Sequence, residues 1–158
     1  MNPPIPFLLA GDLLFYSPSS LVGWWIATKT WTEISHCEFY IGGDRVIAAR
    51  SAGVNVYSTR LDDYLVCIRR PLVAKFDLAG AYKALAPLMG PYELTGLLSF
   101  YAPWHHSAKA SRICSSVATV ALRGGGCEPF NPDVEASDVS PAQLWQSREL
   151  ETVWKRAE

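Results

Sequence analysis

The stretch Ile34-Ser35-His36-Cys37-Glu38-Phe39-Tyr40-Ile41-Gly42-Gly43 alternates with a period of two and runs into paired glycines. This pattern predicts a β-strand that ends in a tight turn. Ser35, Cys37, Phe39 and Ile41 share one face and suit a core. Ile34, His36, Glu38 and Tyr40 share the other. That second face sets an imidazole and a carboxylate two residues apart, roughly 6.5–7 Å at the backbone. A glutamate side chain closes such a gap and holds the ring. An oriented histidine is half of a nucleophilic centre, so the chain must be searched for a thiol or hydroxyl partner.

Upstream, a proline-rich lead-in covers residues 1–6, and Gly11-Asp12 interrupts an apolar run. Leu13 to Tyr16 reads as a buried strand. Ser17 to Ser20 offers helix N-cap chemistry, and a short helix from Leu21 to Thr30 carries Trp24 and Trp25, with Trp31 just beyond. These tryptophans are expected to pack over the sheet, with a substrate wall as the alternative. Downstream, Gly42-Gly43-Asp44 marks a hairpin that returns through Arg45 to Arg50. Ser51-Ala52-Gly53 turns into a strand at Val54 to Tyr57, and Tyr64 to Arg69 forms another that ends at Pro71.

Beyond residue 76 the period changes. Asp77 caps a helix carrying Leu78, Ala81, Tyr82, Leu85 and Leu88, with Pro87 near its end. Leu94 to Tyr101 is apolar, and His105 and His106 follow in a polar loop. A third helix runs from about Cys114 to Leu122 and stops at Gly124-Gly125-Gly126. After an extended loop over 130–138, Ser140-Pro141 opens the last helix read. Strands first and helices second predict an α+β fold, and the length fits one domain over 1–158.

The net charge of −1 offers no footprint for nucleic acid, and no basic cluster exceeds Arg69-Arg70. Asp12 breaks the one early apolar run, so no transmembrane segment is expected. The N-terminus lacks a basic region and a small-residue cleavage site. The default expectation is therefore a cytoplasmic protein with reduced thiols, although a phage-encoded protein, or one exported by a signal-free route, reads the same. The four cysteines, Cys37, Cys67, Cys114 and Cys127, form no C-x-x-C pair. No cofactor or metal is called for, because a zinc set from His36, His105, His106 and Cys114 matches no familiar ligand spacing.

Cys114 is the best partner for His36. It opens a helix, where free N–H groups and the dipole favour a thiolate and can also cradle an oxyanion. The opposing reading makes it a small buried hydrophobe on an Ala/Val-rich helix. Cys37 faces away from His36 on a regular strand and reads as core, as does Cys67. No helix activates Cys127. Ser115 and Ser116 look like helix-start residues, Tyr16 and Tyr40 are candidate oxyanion donors, and His105 and His106 are rival bases.

The order Gly11-Asp12-Leu13-Leu14-Phe15, Ser35-His36, a glycine turn, Val46-Ile47-Ala48-Ala49, Gly53-Val54 and a late Cys114-Ser115-Ser116-Val117 resembles a known family. It is similar to the circularly permuted papain-like enzymes of the NlpC type, which include YiiX-like bacterial proteins and lecithin:retinol acyltransferase relatives. Gly90-Pro91-Tyr92 and Ser140-Pro141 add to the resemblance, which spans residues 11–145. It implies a permuted papain-like fold, with the sheet before the nucleophile-bearing helix. It also implies Cys114 as nucleophile and His36 as general base, then general acid. Many members place a His or Glu on the strand after the turn. Here that strand reads Val46-Ile47-Ala48-Ala49-Arg50, so Glu38 is the expected orienting residue, and a salt bridge to an arginine such as Arg50 is its alternative role.

The expected activity is a cysteine amidase or peptidase working through a thioester on a peptide or acyl substrate, with bacterial peptidoglycan peptides as the class the resemblance implies. Two alternatives stay open. One is lipid acyl transfer or thioesterase action, with Leu94 to Trp104 docking an acyl chain. The other is a non-catalytic binding or assembly domain, which the apolar Ala48 and Ala49 favour.

Overall fold

Both faces of β1 (Leu13–Tyr16) are buried. Leu13 and Phe15 enter one apolar cluster, and Leu14 and Tyr16 enter a second on the opposite face. A strand with two buried faces must sit inside a sheet, and β1 does. In the computed structural model, which describes residues 7–90 and 113–157, it lies between β2 (His36–Gly42) and β5 (Leu65–Pro71) in a six-stranded antiparallel sheet. β3 (Arg45–Arg50) and β4 (Gly53–Ser58) extend the sheet beyond β2, and β6 (Leu150–Lys155) closes it beyond β5, giving the order β4-β3-β2-β1-β5-β6. Crossing back from β4 to β5 makes this more than a meander.

The β2–β3 turn follows from its residues. Gly42, Gly43 and Asp44 all take positive φ, at 91°, 60° and 57°. Glycine adopts that region freely, and aspartate is among the few side chains that tolerate it.

Four α-helices are present among the described residues. α1 (Leu21–Thr30) connects β1 to β2, and the Ser20 hydroxyl accepts from the Gly23 N–H at 3.1 Å to cap it. α2 (Leu78–Leu85) passes into a 3-10 turn over Ala86–Leu88 that accommodates Pro87. α3 (Cys114–Gly124) buries Val117, Ala118, Ala121 and Leu122 against the Phe15–Phe39 cluster and packs across β2 and β3. α4 (Pro141–Gln146) begins with a full capping box, Ser140 with Gln143. α2 and α3 cross at two glycines: a Cβ on Gly124 would lie 2.6 Å from the Ala84 Cβ and 2.8 Å from the Gly80 carbonyl. The α+β expectation holds in this coarse form.

Three sequence expectations need correction. Strands do not end with β5, because β6 follows the last helix and forms one edge of the sheet. Its exposure pattern, with one fully buried residue at its start, lacks the alternation that announces a strand. Arg69 holds that end of the chain, donating to the carbonyls of Trp145, Ser147 and Leu150. Secondly, Trp24 and Trp31 do not pack over the sheet, being 64% and 93% exposed. The apolar residues of α1 are spread around the helix, so its sequence names no inward face, and Trp31 stands at the left-handed C-cap (φ 53°). Thirdly, Asp77 sits at the N-cap position of α2 without a side-chain capping bond. The apolar stretch Leu94 to Trp104 and the rival bases His105 and His106 lie outside the described residues.

Candidate active site

The site forms where the start of β2 meets the start of α3. On β2, His36 stands opposite Tyr16 of β1, and Glu38 stands opposite Leu14. The strand period puts His36 and Glu38 on one face, and the side chains meet: His36 Nε2 lies 3.1 Å from Glu38 Oε1. Glu38 is fully buried, and a buried carboxylate needs partners. It has three on the same oxygen: His36, the Arg50 guanidinium (Nε at 2.9 Å, Nη2 at 2.8 Å) and Arg60 Nη2 at 3.4 Å. The contacts expected for Glu38 as alternatives, one to the histidine and one to an arginine, are therefore both made.

The arginines are themselves fixed by aromatic faces. Arg50 stacks over the Tyr57 ring at 4.4 Å and Arg60 over Tyr16 at 5.4 Å. Tyr16 lies against Glu38 and donates its one hydroxyl proton to the Arg60 carbonyl at 2.7 Å. Glu38 Oε2 thus has no hydrogen-bond partner among the described residues. Burial and the Glu38 charge both push the Tyr16 phenol upward, so it stays neutral.

Cys114 supplies the second half. As the first residue of α3 it follows Ile113, which offers no capping side chain. At this position the Cys114 amide belongs to the helix's first turn, where a backbone N–H has no intrahelical acceptor. The hydroxyls of Ser115 and Ser116 are spent on the carbonyls of Val139 (2.5 Å) and Ile113 (2.9 Å), which fixes the helix start and leaves both serines structural.

The Cys114 thiol is within hydrogen-bonding contact of the His36 ring. With Nε2 engaged by Glu38, Nδ1 is the ring nitrogen left for the sulfur. His36 thus bridges carboxylate and thiol, and Cys114, His36 and Glu38 come together as the sequence expects. Burial alone would lower the imidazole's pKa, but the Cys114 thiolate and then Glu38 outweigh it and raise it to about 9. Burial would raise Glu38, but His36, Arg50 and Arg60 together lower it.

Cys37 is the participant that sequence reasoning missed. It is buried in the core, as its strand face requires. Nevertheless its thiol touches Cys114, because α3 lies over that face of β2 and begins at the strand's start. The Cys37 thiol donates to the Cys114 sulfur, and the Cys37 backbone N–H donates to it as well. Together with the His36 charge, these donors overcome burial and lower the Cys114 pKa well below the ordinary thiol value. Cys37 moves the other way. Its bond to Cys114, then burial, hold it protonated. The signal that could have exposed this role is the adjacency of Cys37 to His36, read together with a helix landing on the strand's first turn.

The remaining thiols are held protonated. Burial pushes Cys67 to about 12 and Cys127 to about 11. Among the described residues no three His, Cys, Asp or Glu side chains converge as a metal site, and no helix is long and apolar enough to cross a membrane. The chain matches no protein-family model and no curated protein.

Proposed function

We propose that this protein is a cysteine amidase or peptidase with a permuted papain-like fold, in which Cys114 is the nucleophile, His36 the general base and then acid, and Glu38 the residue that orients and charges the ring. The observation that carries the reading is the bridge made by His36: a buried carboxylate on one side and a thiol at a helix N-terminus on the other. The thiolate attacks a substrate carbonyl and forms the C–S bond. The Cys114 amide, at the start of α3, receives the developing oxyanion. The imidazolium gives its proton to the leaving amine as the C–N bond breaks. Water, deprotonated by the now neutral His36, then hydrolyses the thioester.

The chain order, with the sheet and histidine before the cysteine helix, is what the resemblance to the NlpC-type enzymes implies. That resemblance points to bacterial cell-wall peptides as the substrate class. The test is digestion of purified peptidoglycan, with released fragments identified by mass, comparing the wild-type chain with Cys114→Ala. Soluble peptide fragments from the wild type alone support the reading. No fragments from a folded wild-type protein count against it.

One observation favours acyl transfer to or from a lipid as a second reading. Leu21, Trp24 and Trp31 are exposed on and just after α1, the connection between the strands carrying Tyr16 and His36. Apolar side chains there suit a lipid substrate. Thioester turnover on acyl-lipid vesicles, absent on peptidoglycan, would select it.

A further inference from the structure

The hydrolase reading uses the Cys114 sulfur and leaves the Cys37 thiol with no step of its own. Two free thiols in direct contact are nonetheless unusual in this chain. Cys67 and Cys127 are buried as free thiols, whereas Cys37 and Cys114 hydrogen-bond to each other from facing elements, β2 and α3. Cys114 is partly open to solvent, and Cys37 is closed off behind it. That is the arrangement of an attacking and a resolving cysteine: one thiolate that a small oxidant can reach, and one sheltered thiol that only the first sulfur can reach.

We infer that Cys37 and Cys114 form a peroxide-sensitive pair, in which Cys37 captures the oxidised Cys114 sulfur as a reversible disulfide between β2 and α3. The inference rests on the same Cys114 nucleophile as the hydrolase reading and adds a modification of that site. The oxidant is a hydroperoxide, with hydrogen peroxide the simplest. The Cys114 thiolate attacks one peroxide oxygen. The S–O bond forms, the O–O bond breaks, and hydroxide leaves, so sulfur is oxidised by two electrons to a sulfenic acid. Cys37 then attacks that sulfur. The S–S bond forms and the S–O bond breaks, and the departing hydroxide takes the Cys37 proton as water.

Two consequences follow from the geometry. The disulfide consumes the nucleophile, so oxidation silences the site without unfolding the sheet, and a dithiol reductant restores it. It also diverts Cys114 from the next oxidation step, because a sulfenic acid with a thiol in contact condenses before a second peroxide arrives. Further oxidation to the sulfinic acid is irreversible by ordinary thiols.

The test treats the full chain with hydrogen peroxide, blocks remaining thiols, and maps peptides by mass without reduction. The expected result is a Cys37–Cys114 linked peptide, two mass units lighter than the sum of its parts, with Cys67 and Cys127 still reduced. Dithiothreitol should restore alkylation of Cys114. Cys37→Ser and Cys37→Ala, made in parallel so that a folding defect in one does not decide the matter, should yield no linked peptide and a Cys114 sulfinic acid, 32 mass units heavier, that dithiothreitol does not reverse. A wild-type chain that goes to the sulfinic acid as fast as the variants overturns the inference. So does a disulfide that joins any other pair. If Cys114 alkylates readily yet never links to Cys37, this inference fails and the hydrolase reading stands. If Cys114 reacts with neither alkylator nor peroxide, both fail.

Discussion

His36 Nε2 and Glu38 Oε1 lie 3.1 Å apart, two residues along one strand, and the same carboxylate oxygen also holds Arg50 at 2.8 Å. The carboxylate beside the histidine is therefore part of a charge cluster and not a lone partner. Two arginines keep it ionised inside the protein, and its charge in turn supports the imidazolium.

Glu38→Gln preserves shape and removes that charge. Turnover should fall on the order of 10²-fold or more, the scale of a disabled acid–base residue. The cost in stability should be near 1 kcal/mol, because Arg50 and Arg60 are 22% and 42% exposed and water screens them. The variant should also lose an acid dependence. The folded-state pKa of Glu38 is lowered, so its contribution is present above the unfolded value and is lost as pH falls through the folded one. Urea titrations of both proteins between neutral and acid pH measure this difference.

Activity should follow a bell in pH. The acid limb belongs to Cys114, whose pKa lies well below the ordinary thiol value, and the alkaline limb belongs to His36 near 9. Between them thiolate and imidazolium coexist. The His36 contribution to stability is fully present below the unfolded value of 6.5 and is lost as pH rises through about 9. Removing Glu38 takes away part of what raises His36, so the alkaline limb of Glu38→Gln should move to lower pH. Profiles of kcat/KM for both proteins measure the shift.

Gly80→Ala should destabilise the fold even though alanine is the better helix former by about 1 kcal/mol. The new methyl would meet the Gly124 carbonyl and lie 2.8 Å from Asp77 Oδ2, where α2 supports the helix that carries Cys114. Overpacking of this kind costs about 1–3 kcal/mol, more where backbone is struck. A net loss of about 1–2 kcal/mol is expected, read as a lower urea midpoint with an unchanged slope.

Much of the site was legible because it depends on local spacing. A period of two fixes which side chains share a strand face, so His36 and Glu38 could be paired from the sequence. Glycines at 42 and 43 fixed the hairpin, and the glycines at 124–126 with the Cys114 start bounded α3. The contact between Cys37 and Cys114 was not legible. The same face rule that joins His36 to Glu38 sends Cys37 to the other side, and only the landing of α3 at the first turn of β2 lets one sulfur reach both. Arg60 was missed for a related reason, since it comes from beyond β4 and nothing in its own surroundings points to a carboxylate on β2. The edge strand β6 and the outward tryptophans of α1 escaped because neither carries a usable period: one is mostly exposed, and the other spreads its apolar residues around the helix.

The most direct test of the account is the rate of Cys114 alkylation by iodoacetamide as a function of pH, followed by peptide mass in the wild-type chain and in His36→Ala. The account predicts that Cys114 labels far faster than Cys37, Cys67 and Cys127, with a midpoint well below the ordinary thiol value of 9.0, and that this midpoint moves upward when His36 is removed. Slow, equal labelling of all four cysteines, or a Cys114 midpoint near 9.0 that ignores His36→Ala, would contradict it.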